Sequence, residues 1–273
     1  METRLSPAVG RPISAGDRTR EDPMKQVIRG FLAVALFVSV ACTTAEDPPA
    51  EKPSSTTATD VRILNDCPEL PCQGALEPGR YRWEYRSTPG EPTVAFTIPS
   101  PGWTWYYSGG FRIVAGEFAT VEGLYIPDGI YFLRDPTIAS RDCEESSEPD
   151  VGRSVSDLVA WLENAPGLIV SEPAPVTVGG LEGMQLDIEL DPAWERTCFF
   201  SEELPTVPLL FSGAEFGGYH WAIVPEQSLR WSILDSQDGV LIVAMEDDPG
   251  GFPHDELFET GGRIVDSLVF SSS

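Results

Sequence analysis

The sequence predicts an α+β domain in which a mostly antiparallel β-sheet carries two packed α-helices. Runs that are rich in β-branched and aromatic residues recur between Gly and Pro, which is typical of strands joined by turns. Two other segments repeat their apolar residues with the period of a helix. The roughly 210 residues from Asp60 to Phe270 are enough to bury one sizeable core. We therefore expect a single domain.

The first predicted strands are residues 81–85 and 94–98, which alternate with a period of two and so place one set of side chains on each face. Residues 230–234 and 240–244 are predicted to form a hairpin, because the intervening turn ends in Asp-Gly and Gly239 tolerates a positive φ. Further strands are predicted at residues 103–107, 111–114, 130–133, 168–170, 176–178 and 183–190.

The first predicted helix covers residues 154–164. Its apolar side chains recur at i, i+3, i+4 and i+7, which places them on one face. Ser154 stands at the N-cap position, Asp157 lies three residues later, and Pro166 ends the segment.

The second predicted helix covers residues 253–268, and Pro253 suits its first turn. Gly261 and Gly262 interrupt its middle at a cost of about 1 kcal/mol each relative to Ala. We expect close packing of this helix on the sheet to explain both glycines.

An export signal precedes the domain. Lys25 and Arg29 supply the positive charge, and residues 31–41 form an apolar run that ends in small residues. Cys42 follows directly, in a pattern that resembles a bacterial lipobox, although Ser39 stands where an aliphatic residue is usual. The sequence therefore predicts that Cys42 is acylated, and that the chain is held at the extracytoplasmic face of the cell membrane by its lipid.

Two alternatives to this location stay open. Release into the medium after cleavage is one, and a retained membrane span is the other, although residues 31–41 are short for crossing about 30 Å of hydrocarbon. Translation can begin at Met1 or Met24. The predicted organisation is an upstream extension and signal peptide over residues 1–41, a flexible tether over residues 42–60 and one extracellular domain over residues 61–273.

The composition is strongly acidic, with 43 Asp and Glu against 18 Lys and Arg. Removal of residues 1–41 leaves 39 acidic and 12 basic side chains, and Lys52 is then the one remaining lysine. Nucleic acids and anionic lipid headgroups are polyanions that bind through Lys and Arg. Both are therefore excluded as partners, and a soluble acidic surface is favoured over a specific site for cations.

Four cysteines follow Cys42, and an even number outside the cytoplasm predicts two disulfides. Three pairings are possible. The short spacing favours Cys67 with Cys72, which leaves Cys143 with Cys198. Metal binding is the alternative, but zinc sites prefer His or closely paired Cys. We expect no metal and no cofactor.

Candidate chemistry is sparse. The chain has two histidines, His220 and His254, and it lacks the Gly-x-Ser-x-Gly elbow of many hydrolases, so no catalytic residue is assigned. His254 is interpreted as a solvated residue at a helix start, and Asp187 as part of the wet face of a strand. Residues 103–107 hold the densest aromatic cluster; its alternate rings should fill the core, while Tyr106 could offer a stacking platform.

Several short motifs together resemble a known group. They are Pro78-Gly79-Arg80-Tyr81, residues 96–103, residues 176–183, the hairpin over residues 231–244, and residues 264–268. The pattern resembles an uncharacterised group of exported proteins and lipoproteins from high-GC Gram-positive bacteria. Their arrangement is similar to the Mog1/PsbP-like α/β sandwich, and the resemblance covers roughly residues 76–270. It implies a fold but no activity, and no functional residue is carried over.

The function that these observations predict is a lipid-anchored extracytoplasmic binding or interaction module. It is expected to be monomeric, to bind a protein or a small molecule, and to perform no catalysis. An extracellular hydrolase and an accessory subunit of a membrane complex are the alternatives. A cleft that joins an activated side chain to oxyanion donors would favour the hydrolase. An exposed apolar patch would favour partner binding.

Overall fold

The computed structural model describes residues 60–64, 72–84, 93–107, 111–116, 128–201, 203–211, 220–237, 239–247 and 253–271. These residues belong to one compact unit that spans Thr56–Ser273. Strands dominate, and two helices complete the described part, so the predicted α+β class is confirmed. The finer assignment to the Mog1/PsbP-like sandwich stays a prediction.

The strands and helices follow one another along the chain in this order: β1 (Val61–Leu64), β2 (Cys72–Leu76), β3 (Gly79–Trp83), β4 (Thr93–Ile98), β5 (Trp103–Tyr107), β6 (Phe111–Ala115), β7 (Gly129–Arg134), β8 (Thr137–Ile138), α1 (Val155–Asn164), β9 (Leu168–Val170), β10 (Ala174–Val178), β11 (Leu181–Leu190), β12 (Val207–Phe211), β13 (His220–Ile223), β14 (Ser228–Ser236), β15 (Gly239–Asp247), α2 (His254–Asp266) and β16 (Val269–Ser271).

The described residues form three sheets. The large one has nine strands in the order β10-β11-β14-β15-β7-β6-β5-β2, with β9 paired beside β11. A four-stranded sheet has the order β1-β3-β4-β16, and a three-stranded sheet has the order β13-β12-β8. Strands β1 and β3 are parallel and the other pairings are antiparallel, as the sequence predicts.

The predicted hairpin is the centre of the large sheet. Strands β14 and β15 pair from Ser228 with Asp247 to Ser236 with Gly239, several residues further than the sequence indicates. Gly239 has a φ of +131°, and a Cβ there would lie 1.8 Å from Asp135 Oδ1. The positive φ therefore favours glycine at this turn, and a side chain would also displace the Asp135 carboxylate, which accepts a hydrogen bond from the Val240 amide at 3.2 Å.

Each face of the large sheet is covered by its own core. Successive strand residues point to opposite faces, so Trp231 and Ile233 of β14 pack on the α1 side and Leu234 packs on the α2 side. On β15, Ile242 joins the α1 core and Val243 the α2 core. The four-stranded sheet adds aromatic rings to the α2 core. The sheet is thus packed on both faces, which explains why β15 is apolar without interruption from Val240 to Met245.

The helix α1 begins as predicted. The Ser154 side chain accepts a hydrogen bond from the Asp157 amide at 3.2 Å, and Asp157 Oδ2 accepts one from the Ser154 amide at 3.1 Å. This reciprocal pair is a capping box. The Ser154 hydroxyl also donates to Asp157 Oδ2 at 2.6 Å. This bond and the one from the Ser154 amide lower the pKa of Asp157, because both favour its charged form.

The helix α2 lies within the predicted segment and ends at Asp266. A Cβ on Gly261 would approach Met245 Sδ on β15 to 3.3 Å, so close packing explains this glycine. A Cβ on Gly262 would meet no atom within 4 Å, and packing therefore does not explain that residue. Within the described part of the chain, neither helix has the length and apolar character to cross a bilayer.

Candidate functional site

The predicted long disulfide is present and braces a surface loop. Cys143 and Cys198 are joined, with their Cα atoms 5.6 Å apart, which confirms that pairing. Cys42, Cys67 and the side chain of Cys72 lie outside the described residues, so acylation and the second bridge stay predictions. The bridge between Cys143 and Cys198 fixes the start of the segment that follows Cys198.

We name residues 197–201 and 203–206 the braced loop. Its two ends are held together by a β-bridge between Thr197 and Pro205 and by the Thr206 amide, which donates to Arg196 O at 2.8 Å. Inside it, Ser201 Oγ accepts from the Cys198 amide at 3.0 Å. These bonds satisfy backbone groups that would otherwise need water, and they fix the shape of the loop.

The braced loop presents apolar side chains to solvent. Phe199 is 70% exposed and Leu204 is 50% exposed. Phe200 packs edge to face on Phe199, with the ring centroids 5.2 Å apart. Glu203 in the same loop and Glu144 and Glu145 next to Cys143 are exposed acids. The braced loop thus carries exposed apolar side chains and one exposed acid, and two more exposed acids adjoin the cysteine to which it is bridged.

A second group of side chains lies where α2 begins. His254 Nδ1 is 2.6 Å from Asp247 Oδ2 on β15. The Asp247 side chain is 11% exposed, whereas that of His254 is 53% exposed. His254 is exposed at the start of α2, as predicted, but the sequence did not indicate that a nearly buried carboxylate holds one of its ring nitrogens. For His220 only the backbone, at the start of β13, is described.

A bidentate ion pair lies beside this contact. Arg230 Nε and Nη2 donate to the two carboxylate oxygens of Asp187 at 2.6 and 3.0 Å. These hydrogen bonds raise the pKa of Arg230, while partial burial acts in the opposite direction. Asp187 does stand on the half-exposed face of β11, as predicted, but the sequence did not indicate its partner.

The Phe258 ring contacts one member of each pair. Its centroid lies 4.6 Å from that of the His254 ring and 5.0 Å from Arg230 Cζ. We name Asp187, Arg230, Asp247, His254 and Phe258 the Phe258 cluster. The cluster brings residues from β11, β14, β15 and α2 together at one edge of the α2 core, and it is a charged, partly exposed surface with an apolar centre.

The predicted aromatic cluster divides between the two faces of the sheet. Trp103 and Tyr107 are buried in the α2 core, with Trp105 packed against it. Tyr106 points to the other face, where the Arg112 guanidinium lies 5.5 Å from its ring centroid. Alternate rings of the cluster thus fill the core, as predicted. The Tyr106 ring, predicted as a stacking platform, is contacted by the Arg112 guanidinium.

Glu246 is a buried carboxylate that the sequence does not indicate. Glu246 is 4% exposed and accepts a hydrogen bond from Trp221 Nε1. The Trp221 ring packs edge to face on Tyr131, with the centroids 5.0 Å apart. In the sequence, Glu246 follows an apolar run and looks like the solvated end of a strand. The described residues contain no group of three or more His, Cys, Asp or Glu that could hold a metal ion.

The comparisons with known proteins assign no family. No protein-family model matches the chain, and no curated protein matches it either. Among solved structures, the chain is similar to LpqN of Mycobacterium tuberculosis, which is described as involved in cell envelope biogenesis. The identity is 14%, the match covers 74% of this chain and 92% of LpqN, and the TM-score is 0.33. A likeness at this level assigns neither an activity nor a partner.

Proposed function

We propose that this chain is an extracytoplasmic interaction module, anchored by a lipid on Cys42, that docks on a partner protein through the tip of the braced loop. One observation carries the proposal. Phe199 is 70% exposed on a loop whose shape is fixed by a disulfide, a β-bridge and internal hydrogen bonds. A rigid segment that displays an aromatic side chain is suited to binding.

The energetics favour docking at this tip. Burial of a Phe or Leu side chain contributes about 1.5–3 kcal/mol. Binding normally costs the entropy of ordering a loop, and the bonds inside the braced loop have already removed much of that freedom. Phe199 and Leu204 can therefore act as anchors with little opposing cost.

The charges around the tip define the chemistry of the partner. Glu203 lies in the braced loop, and Glu144 and Glu145 follow Cys143, to which the loop is bridged, so exposed acids accompany the apolar side chains as in the polar rim of a protein interface. The complementary surface is an apolar pocket bordered by Arg or Lys. Association should therefore slow as salt is added, because screening weakens the attraction between the acids and these bases.

The location rests on separate support. The export signal and Cys42 predict a lipid-anchored chain, and disulfides persist in oxidising compartments outside the cytoplasm. The Cys143–Cys198 bridge fits such a compartment. We also propose that the domain is a sandwich of the Mog1/PsbP type, which agrees with its mixed composition of sheets and two helices.

Site-specific photo-crosslinking in the cells that encode this chain tests the docking. Benzoylphenylalanine is placed at Phe200, beside the tip, and in a control chain at the half-exposed Val269 of β16. We expect one discrete adduct from position 200 that is absent at position 269 and is lost when Phe199→Ala is added. Equal adducts at both positions, or an adduct that survives Phe199→Ala, would contradict docking through the tip.

An extracellular hydrolase is the second candidate. The observation that favours it is the contact between Asp247 and His254, which orients one ring nitrogen of a half-exposed histidine. The third candidate, an accessory subunit of a membrane complex, is a case of the proposed docking in which the partner is a membrane protein. Identification of the crosslinked partner would distinguish this case.

A further inference from the structure

The tautomer of His254 follows from its contact with Asp247. A carboxylate oxygen only accepts hydrogen bonds, so the ring nitrogen Nδ1, 2.6 Å away, is the donor. In the neutral imidazole, Nε2 then carries the lone pair. Among the residues that the structure describes, Nε2 has no hydrogen-bond partner, and the side chain is 53% exposed. The ring is thus held at Nδ1, and Nε2 is available to accept a proton.

Helix packing alone does not account for this arrangement. Pro253, at the N-cap of α2, has no side-chain acceptor for the free amides of the first turn. His254 does not supply one either, because its ring turns to the sheet. Leu257 and Ile264 are fully buried and already fix the helix on the α2 core. The polar contact at His254 is therefore available for another role.

Arg230 adds a fixed cation on the same ring. Asp187 holds its Nε and Nη2, which leaves Nη1 for another acceptor. Both Arg230 and His254 contact the Phe258 ring. An oriented base, a guanidinium and an apolar surface are the groups that acyl transfer to water requires: one takes a proton, one stabilises an oxyanion and one holds the acyl part.

We propose that the Phe258 cluster is a hydrolytic site for uncharged acyl esters, with His254 as the general base. Asp247 from β15 contacts His254, and Asp255 and Glu256 lie in its own helical turn. Arg230, which is paired with Asp187, contacts the same Phe258 ring as His254. Negative charge prevails around the site and in the chain, at −25 overall. A phosphate or other polyanionic substrate is therefore disfavoured, and a neutral ester is preferred.

The reaction needs only water as co-substrate. The oxygen of a water molecule bonds to the acyl carbon while one of its protons passes to His254 Nε2. The carbonyl oxygen becomes an oxyanion, which Arg230 stabilises. The bond between the acyl carbon and the alcohol oxygen then breaks, and the leaving alkoxide takes the proton from Nε2. The products are a carboxylic acid and an alcohol, and the histidine returns to its starting form.

The two histidines of the chain make a matched experiment. The full chain is purified in detergent, and turnover of p-nitrophenyl butyrate is measured for the wild type, His254→Gln and the control His220→Gln. Lys52 and Lys25 are the only lysines, so a background from side-chain amines is small. We expect many turnovers per chain, a loss of about 100-fold for His254→Gln, and a rate within about twofold of wild type for His220→Gln.

Two further variants assign the supporting roles. Asp247→Asn should lower the rate at least about tenfold, because an amide can hold the wrong tautomer of His254. Arg230→Gln should also lower it at least about tenfold through the lost oxyanion contact. His254→Gln lies at a half-exposed position and keeps the fold, which thermal unfolding checks.

Three results would overturn the proposal. The first is a wild-type rate no higher than that of His254→Gln. The second is an equal loss in His220→Gln. The third is acylation of the chain once, with no turnover afterwards.

Discussion

The two helices begin in different ways. Helix α1 is started by its own neighbours, since Ser154 and Asp157 satisfy each other's backbone amides. Helix α2 starts at Pro253 without such a cap, and its first side chain, His254, binds Asp247 of the sheet. A helix start that is satisfied locally has only a structural role. The start of α2 instead fixes a histidine against the sheet, and this is where we place the proposed hydrolytic site.

The largest effect should be the same for both helices. Leu158 of α1 and Leu257 of α2 are 1% and 0% exposed, so Leu→Ala at either should cost about 3 kcal/mol through lost burial and a cavity. Denaturant unfolding measures both. If one variant loses less than about 1 kcal/mol, burial of that leucine does not stabilise its helix. The starts of the two helices could then not be compared as parts of equally well packed helices.

Substitution of the N-cap residue should destabilise α1 more than α2. Ser154→Ala removes the N-cap acceptor of α1 and should lower the free energy of unfolding by about 1 kcal/mol. Pro253→Ala at the N-cap of α2 should change it by much less, because proline offers no acceptor to lose. Equal losses in the two variants would show that the capping box does not stabilise α1.

Local features of this fold can be predicted from the sequence, whereas contacts between distant residues cannot. The capping box joins residues three positions apart and, together with the helical period of the apolar residues, predicts α1 from its start to its end. Alternation and β-branched or aromatic composition predict most of the described strands. The contact between Asp187 and Arg230 joins residues 43 apart, and no local pattern indicates which acid will face which base. In a chain with 43 acids, the carboxylate beside His254 could be recognised only after β15 and α2 had been placed.

Acid should remove the capping box contribution. The pKa of Asp157 is lowered in the fold by its bonds to Ser154, so the unfolded chain binds the proton more readily. The contribution is therefore full above the pKa of the unfolded chain and is lost as the pH falls below about 4. The difference in stability between wild type and Asp157→Ala, followed by unfolding at several pH values, should shrink in that range. A difference that stays constant down to about pH 2 would contradict the shift.

The His254 contact should contribute little to stability. Because its side chain is 53% exposed and screened by solvent, His254→Gln should change the free energy of unfolding by about 0.5 kcal/mol or less. Urea unfolding near neutral pH measures this change. A loss above about 2 kcal/mol would mean that the contact is chiefly structural, which would weaken its assignment to chemistry.

The smallest effect belongs to the surface of α2. Arg263 and Glu259 form an exposed pair one helical turn apart. Glu259→Gln should cost about 0.3 kcal/mol, and less in high salt. Unfolding in low and high salt measures it, and a cost that is large or independent of salt would contradict a screened surface pair.

The most direct test of the proposed anchoring is the intact mass of the protein purified from the membranes of the cells that encode it, together with the sequence of its first peptide. We predict a chain that starts at Cys42 and carries a diacylglycerol on the thiol, with the Cys143–Cys198 bridge intact. A chain that starts at Met1 or Met24 and contains an unmodified Cys42 would contradict it.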